Sequence, residues 1–122
     1  MLMKLDFGSD VPIYQQIRNQ IVNAIASEKL LPGDKIPAIR VMADEAGVNM
    51  MTVNKAYALL KQEGYIKSER RGGTVVAEEF GKGGLGEGLR ERLRVIASEA
   101  RLAAVSEEEF IKLCGKLYRG EI

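Results

Sequence analysis

Three residues, Gly47, Val48 and Asn49, separate two stretches of helical periodicity, and that gap constrains the fold more than any other feature of the chain. In the first stretch, about Ala38 to Ala46, Ile39, Met42, Ala43 and Ala46 share one face while Arg40, Asp44 and Glu45 lie on the other. Gly47 suits the left-handed conformation that ends a helix. Asn49 suits the cap of a second helix, Met50 to about Glu63, whose apolar face carries Val53, Ala56, Tyr57 and Leu60. Two amphipathic helices joined this closely have the spacing of a helix-turn-helix.

The flanking segments complete a unit around that pair. Asp10 and Pro12 mark the start of an amphipathic helix, since proline fits a first helical turn. Ile13, Ile17, Ile21, Ala24 and Ile25 recur at helical spacing as far as about Glu28. Pro32 and Gly33 then form a turn, followed by a short extended piece around Lys35 to Pro37. Gly64 stops the later helix. Beyond it "YIKSE" and "TVVA" read as two short strands joined by "RRGG", a β-ribbon with arginines and glycines at its tip. The expected fold is mainly α with a small β-hairpin, a winged helix-turn-helix.

After Phe80 the glycine-rich "GKGGLGEG" marks a boundary, which predicts a winged helix-turn-helix at 1–79, a linker at 80–88 and a C-terminal helical segment at 89–122. Leu89, Leu93, Ile96, Ala100 and Ala103 repeat at steps of four and three. Ser106 with Glu109 matches a capping box, and Phe110, Leu113, Cys114 and Leu117 share one face of a last helix. A lone hairpin of this length buries too little apolar surface to hold itself rigid. It needs a partner. A second copy related by a two-fold axis is the expected one, with Leu89, Leu93, Ile96, Ala100, Phe110, Leu113 and Leu117 at the dimer interface; the alternative is that both helices fold back on the core of their own chain.

Composition removes several classes of chemistry. The 122 residues suit one small domain plus an appendage. Cys114 is the only cysteine and there is no histidine, so an internal disulfide, a zinc site of usual spacing and imidazole catalysis are all excluded. Cys114 is expected among the buried hydrophobes. "GKGGLG" satisfies the Gly-x-Gly-x-x-Gly pattern at Gly81, Gly83 and Gly86, but without a βαβ unit it is no dinucleotide site. No cofactor, metal or catalytic pair is expected, and the chain does not read as an enzyme. No apolar run is long enough to cross a bilayer and no secretory signal is evident, so a cytoplasmic location is expected. The net charge of +1 requires any basic surface to come from segregation of charges.

At 100° per residue, Met51, Lys55, Ala58 and Gln62 lie opposite the apolar face of the helix after Gly47, with Asn54 beside them and Met50 near the inner edge, where partial burial is expected. A DNA major groove accepts one helix and offers thymine methyls, base edges and phosphates. Met51 suits the first, Asn54 the second, and Thr52 with Lys55 the third. Arg70 and Arg71 beside Gly72 and Gly73 suit a minor groove or phosphates. Arg40 suits a phosphate or a guanine edge. The competing reading is a winged helix used for protein contact, with Met51 at its centre.

"PIYQQIRNQIVNAI", "LPGDKIPAIRVMADEAGV", "TVNKAYALLKQEGYI" and "RRGGTVV" together resemble the DNA-binding domain of GntR-type transcription regulators, over roughly Val11 to Ala77. The resemblance implies a winged helix-turn-helix that binds double-stranded operator DNA as a homodimer. The DNA-contacting arginine of "PAIR" falls on Arg40. The opening of the recognition helix falls on Asn49, Met50, Met51 and Thr52, a further contact on Asn54, and the wing contacts on Arg70, Arg71 and Gly72. Met50 and Met51 stand where polar or basic residues are frequent in the family, and Asn54 where some members have arginine. The short tail resembles the YtrA-like subgroup, which implies a repressor; it names no operator, regulated gene or small-molecule effector.

Overall fold

The computed structural model describes residues 3–81 and 84–122. Two compact units emerge, Met1–Phe80 and Gly81–Ile122. The first contains α1 (Ile13–Ala26), β1 (Lys35–Ile36), α2 (Ile39–Ala46), α3 (Met50–Glu63), β2 (Ile66–Ser68) and β3 (Thr74–Val76). The second contains α4 (Glu87–Leu102) and α5 (Glu107–Tyr118).

The core of the first unit is built from the apolar stripes of its three helices. Ile17, Ile21, Met42, Val53, Ala56, Tyr57 and Leu60 are buried, together with Ile36, Ile66 and Val76 from the strands. Burying one such side chain contributes about 1.5–3 kcal/mol, so this cluster outweighs any single polar contact around it. Gly47 (φ 70°) and Gly64 (φ 86°) end α2 and α3 in the left-handed region, which is open to glycine because it has no Cβ.

Where the sequence reads a two-stranded ribbon, the sheet has three strands in the order β1-β3-β2, all antiparallel. The extended piece before Pro37 pairs with β3, Lys35 opposite Val75 and Ile36 opposite Thr74. Two further bonds lengthen the ladder, Gly33 N–H to the Val76 carbonyl at 2.9 Å and Val76 N–H to the Asp34 carbonyl at 2.8 Å. The reason is physical: a lone hairpin would leave one edge of β3 unpaired, and the turn closed by Asp34, whose carboxylate accepts the Leu31 N–H at 2.8 Å, brings a strand to it.

Ahead of α1 an arm lies along the helix, held by two glutamines one turn apart. Gln20 accepts from the Lys4 N–H at 3.0 Å and donates to the Lys4 carbonyl at 2.6 Å. Gln16 accepts from the Asp6 N–H at 2.8 Å and donates to the Asp6 and Val11 carbonyls at 2.8 and 2.9 Å. Met3 and Leu5 pack against the core on this path.

In the second unit α4 begins at Glu87, two residues before the expected boundary at Leu89. Lys82 and Gly83, which belong to the expected linker and to the Gly-x-Gly pattern, lie outside the described residues. Ser106 caps α5, accepting the Glu109 N–H at 3.1 Å. No residue of α4 or α5 is buried. Leu89, Leu93, Ile96, Leu113 and Leu117 are exposed, and Ala100 and Phe110 are half-buried. Cys114, expected to be buried, is half-buried as well, because the face it shares with Phe110 is only partly covered.

The helix expected to run to about Glu28 stops at Ala26, because Glu28 itself takes φ 62° and the Lys29 N–H turns back to the Ala24 carbonyl at 2.9 Å. Left-handed backbone costs a side chain with a Cβ about 1 kcal/mol. Glu28→Gly is therefore expected to raise stability by about 0.5–1 kcal/mol and Gly47→Ala to lower it by about 1 kcal/mol, both read from urea unfolding.

Candidate nucleic-acid interface

The outward face of α3 is set by its buried stripe of Val53, Ala56, Tyr57 and Leu60, and three polar contacts steady the helix from end to end. Asn49 accepts the Thr52 N–H at 2.8 Å and so caps the helix. In the middle, the Tyr57 hydroxyl donates to the Pro37 carbonyl at 2.7 Å. At the far end, Arg18 of α1 grips Glu63 through two hydrogen bonds, Nε to Oε1 at 2.9 Å and Nη2 to Oε2 at 2.8 Å. Arg18 is only 9% exposed. Its hydrogen bond to Glu63 outweighs the cost of burial and holds the guanidinium above its ordinary pKa. Tyr57 is shifted for another reason: burial, reinforced by the Glu45 carboxylate, pushes the phenol well above its ordinary value.

With α3 held this way, Met51 is 81% exposed, and Asn54 and Lys55 are exposed beside it. The Asn54 side chain has no hydrogen-bond partner among the described residues. Met50 departs from expectation. It is 46% exposed rather than tucked against the core, because it is the first residue of α3 and the core begins three residues later at Val53. The pair of methionines is thus presented together at the open end of the helix.

Asn49 and Thr52 are less free than their residue types suggest. Asn49 directs its side-chain oxygen at Thr52, receiving the hydroxyl at 3.0 Å as well as the N–H. The Thr52 hydroxyl proton expected to meet a phosphate is therefore engaged within the helix, and a phosphate contact from it requires that hydroxyl to turn. Lys55 has a partner that the sequence does not announce: its Nζ lies 4.2 Å from the centroid of the Tyr14 ring on α1.

Arg40 is the second residue of α2, exposed and without an ion pair among the described residues. Its helix begins at Ile39, two residues after Pro37, so the Tyr57 bond fixes the approach of Arg40's segment to α3. The wing starts from the same place. Ile36, immediately before Pro37, is opposite Thr74, the first residue of β3. From there Glu69 to Gly73 close the tip: the Glu69 N–H bonds the Gly73 carbonyl at 3.0 Å and the Gly72 N–H bonds the Glu69 carbonyl at 3.1 Å. Arg70 and Arg71 occupy the two central positions of that turn, exposed, and Gly72 takes φ 85°, the left-handed residue of a three-residue hairpin loop. Among the described residues no helix is long and apolar enough to cross a membrane.

Residues 13–76, more than half of the chain, match the family described as bacterial regulatory proteins, gntR family. The chain belongs to the GntR family. Among its GntR-type relatives, the transcriptional repressor YtrA of Bacillus subtilis is 35% identical over 112 residues, covering 88% of this chain and 85% of that protein. A solved structure of YtrA from Sulfolobus acidocaldarius, a GntR-family transcription factor, is similar at 44% identity with a TM-score of 0.68, covering 84% of this chain and 99% of that one. The DNA-binding domain of AraR in complex with operator ORX1 is similar over 63% of this chain and 99% of its own, at 30% identity and a TM-score of 0.57. The family consists of transcription regulators, not enzymes, and the winged helix-turn-helix of this chain is that of a DNA-binding regulator.

Removing the Tyr57 hydroxyl leaves the Pro37 carbonyl without its donor, so Tyr57→Phe is expected to cost about 1–2 kcal/mol in urea unfolding. For the pH dependence, a phenol raised in the folded state contributes stability that is complete below its unfolded pKa. The wild type is expected to lose stability progressively as pH rises above about 10, and Tyr57→Phe to lose less across that window.

Proposed function

We propose that this GntR-family chain is a repressor that binds an inverted-repeat operator as a homodimer, with α3 in the major groove, Arg40 on a phosphate or guanine edge, and Arg70 and Arg71 of the wing on a minor groove or phosphates. The observation that carries this reading is the outward face of α3, where Met51, Asn54 and Lys55 are exposed together while every buried polar side chain beneath is satisfied among the described residues. Thymine methyls suit Met51, and an adenine edge suits the Asn54 amide. A similar domain bound to operator DNA and a relative called a repressor support the same assignment.

The homodimer is supported by α4 and α5. Neither helix buries a residue, and Leu89, Leu93, Ile96, Leu113 and Leu117 remain exposed with Ala100 and Phe110 half covered. Packing those faces against their symmetric copies removes apolar surface that a lone hairpin leaves in water. A two-fold dimer then presents two α3 helices about one turn of DNA apart, or a small multiple of it. Light scattering at micromolar protein is expected to give twice the chain mass; a monomer at all concentrations would remove the two-fold operator.

A protein-contact reading has one observation in its favour, the exposed pair Met50 and Met51. Ionic strength separates the two. Affinity for a duplex chosen from a random pool is expected to fall steeply with salt as phosphate contacts release counterions, whereas an apolar protein contact changes little. Arg40→Ala is expected to weaken that duplex by about tenfold, in line with about 1–3 kcal/mol for an arginine contact to a base. Substitutions at Met51 are expected to change the selected consensus more than the affinity. An unaltered consensus would show that Met51 reads no base.

A further inference from the structure

Lys55 meets an aromatic ring rather than a carboxylate. Its ammonium lies 4.2 Å from the centre of the Tyr14 ring, and it has no ion pair among the described residues. The two helices that carry the pair offer it no acid, for a reason visible in the sequence. Helix α1, Ile13–Ala26, contains neither Asp nor Glu, and α3 contains none until Glu63, which Arg18 already holds. Yet the first unit, through Phe80, has as many acidic residues as basic ones. The acids have been kept off this pair of helices rather than being scarce.

The chemistry of the two kinds of partner differs in one respect that matters. A carboxylate would locate the ammonium and cancel its charge, and a phosphate would then have to displace it. An aromatic face also locates the ammonium, through the ring quadrupole, but leaves the net positive charge in place. It also occupies only one side of a group with three donors, so the others stay available to an anion. Lys55 stands on the same outward face as Met51 and next to Asn54, on the side toward α1.

We propose that Tyr14 is a positioning residue for DNA binding: its ring stations the Lys55 ammonium on the α1 side of α3, ready to meet a duplex phosphate. This rests on the reading that α3 docks in a major groove. The interface then extends from the recognition helix onto the start of α1, and the ordering of a long, flexible side chain is completed before DNA arrives rather than on binding.

The test uses the full chain and the duplex selected from the random pool, with Tyr14→Phe, Tyr14→Leu, Lys55→Met and the Leu/Met double variant. Before DNA is added, the Lys55 ε-methylene protons are expected to be shifted upfield by the ring in the wild type and in Tyr14→Phe, and to return to ordinary values in Tyr14→Leu. Tyr14→Leu is expected to weaken binding about two- to fivefold, and Tyr14→Phe to bind as the wild type does. Lys55→Met is expected to lower the salt slope by about 0.9, the release from one phosphate. Adding Tyr14→Leu to Lys55→Met is expected to cost nothing more.

An equal loss from Tyr14→Leu with and without Lys55 would reduce Tyr14 to a packing residue and overturn the proposal. So would a Tyr14→Phe variant as weak as Tyr14→Leu, which would mean the hydroxyl itself touches DNA. Unchanged affinity and slope in Lys55→Met would overturn it too, with Lys55 then no DNA contact. In each of these cases the wild type still binds its duplex in a salt-dependent way and Arg40→Ala still weakens it. A wild type that binds no duplex overturns the docking reading and this role together.

Discussion

Arg18 gripping Glu63 across α1 and α3 is the interaction on which the geometry of this regulator depends. The two near-parallel hydrogen bonds, 2.9 and 2.8 Å, fix a direction as well as a distance, which a single lysine contact would not do. Breaking such a pair from one side leaves a poorly solvated charge, so the two residues hold one another in place. Arg18 also lies 5.8 Å from the centre of the Tyr65 ring, which itself meets Phe80 edge-on with centroids 6.1 Å apart. The foot of α3, the start of β2 and the last residue of the first unit are thereby fastened at one point. Apolar burial drives the helices together and turns the Val53, Ala56, Tyr57 and Leu60 face of α3 inward, and this pair holds the foot of the helix in that rotation.

Charge distribution explains how a chain of nearly zero net charge can present a face to a polyanion. No acidic side chain is carried by α1, and the single one on α3 is neutralised at the end away from Met51. The acids of the first unit are placed elsewhere, among them Asp44 and Glu45 on α2 and Glu78 and Glu79 beyond β3. Bulk charge therefore says little about nucleic acid here, and the pattern of charges along particular helices says a good deal.

Much of this was legible in the sequence, and what was not has a common cause. The helix-turn-helix could be read because its information is local: periodicity gives the inward face, Gly47 and Asn49 give the ends, and the gap between them gives the crossing. The exposure of Met51 followed from the same angles. Met50 did not, because a helical wheel gives direction but not where along the axis the packing begins. Strand β1 is two residues long and carries no alternation of its own; it exists because Val75 and Thr74 offer it an edge. Tyr14 beneath Lys55, Glu63 on Arg18 and Pro37 under Tyr57 are contacts between residues 20 or more apart in sequence, at positions where residue type alone allows many partners. The candidate DNA-contacting face was thus visible, whereas the side chains that hold it still were not.

The two glutamines that bind the arm along α1 have a bearing on how such a regulator meets changing surroundings. Their five hydrogen bonds join neutral amides to backbone groups, with no ionic partner anywhere in the clasp. Counterions screen attraction between charges and leave an amide clasp of this sort almost untouched. A rise in potassium concentration, or a buffer chosen to strip the chain from nucleic acid, would thus loosen its grip on phosphates while its amino-terminal strap stayed buckled.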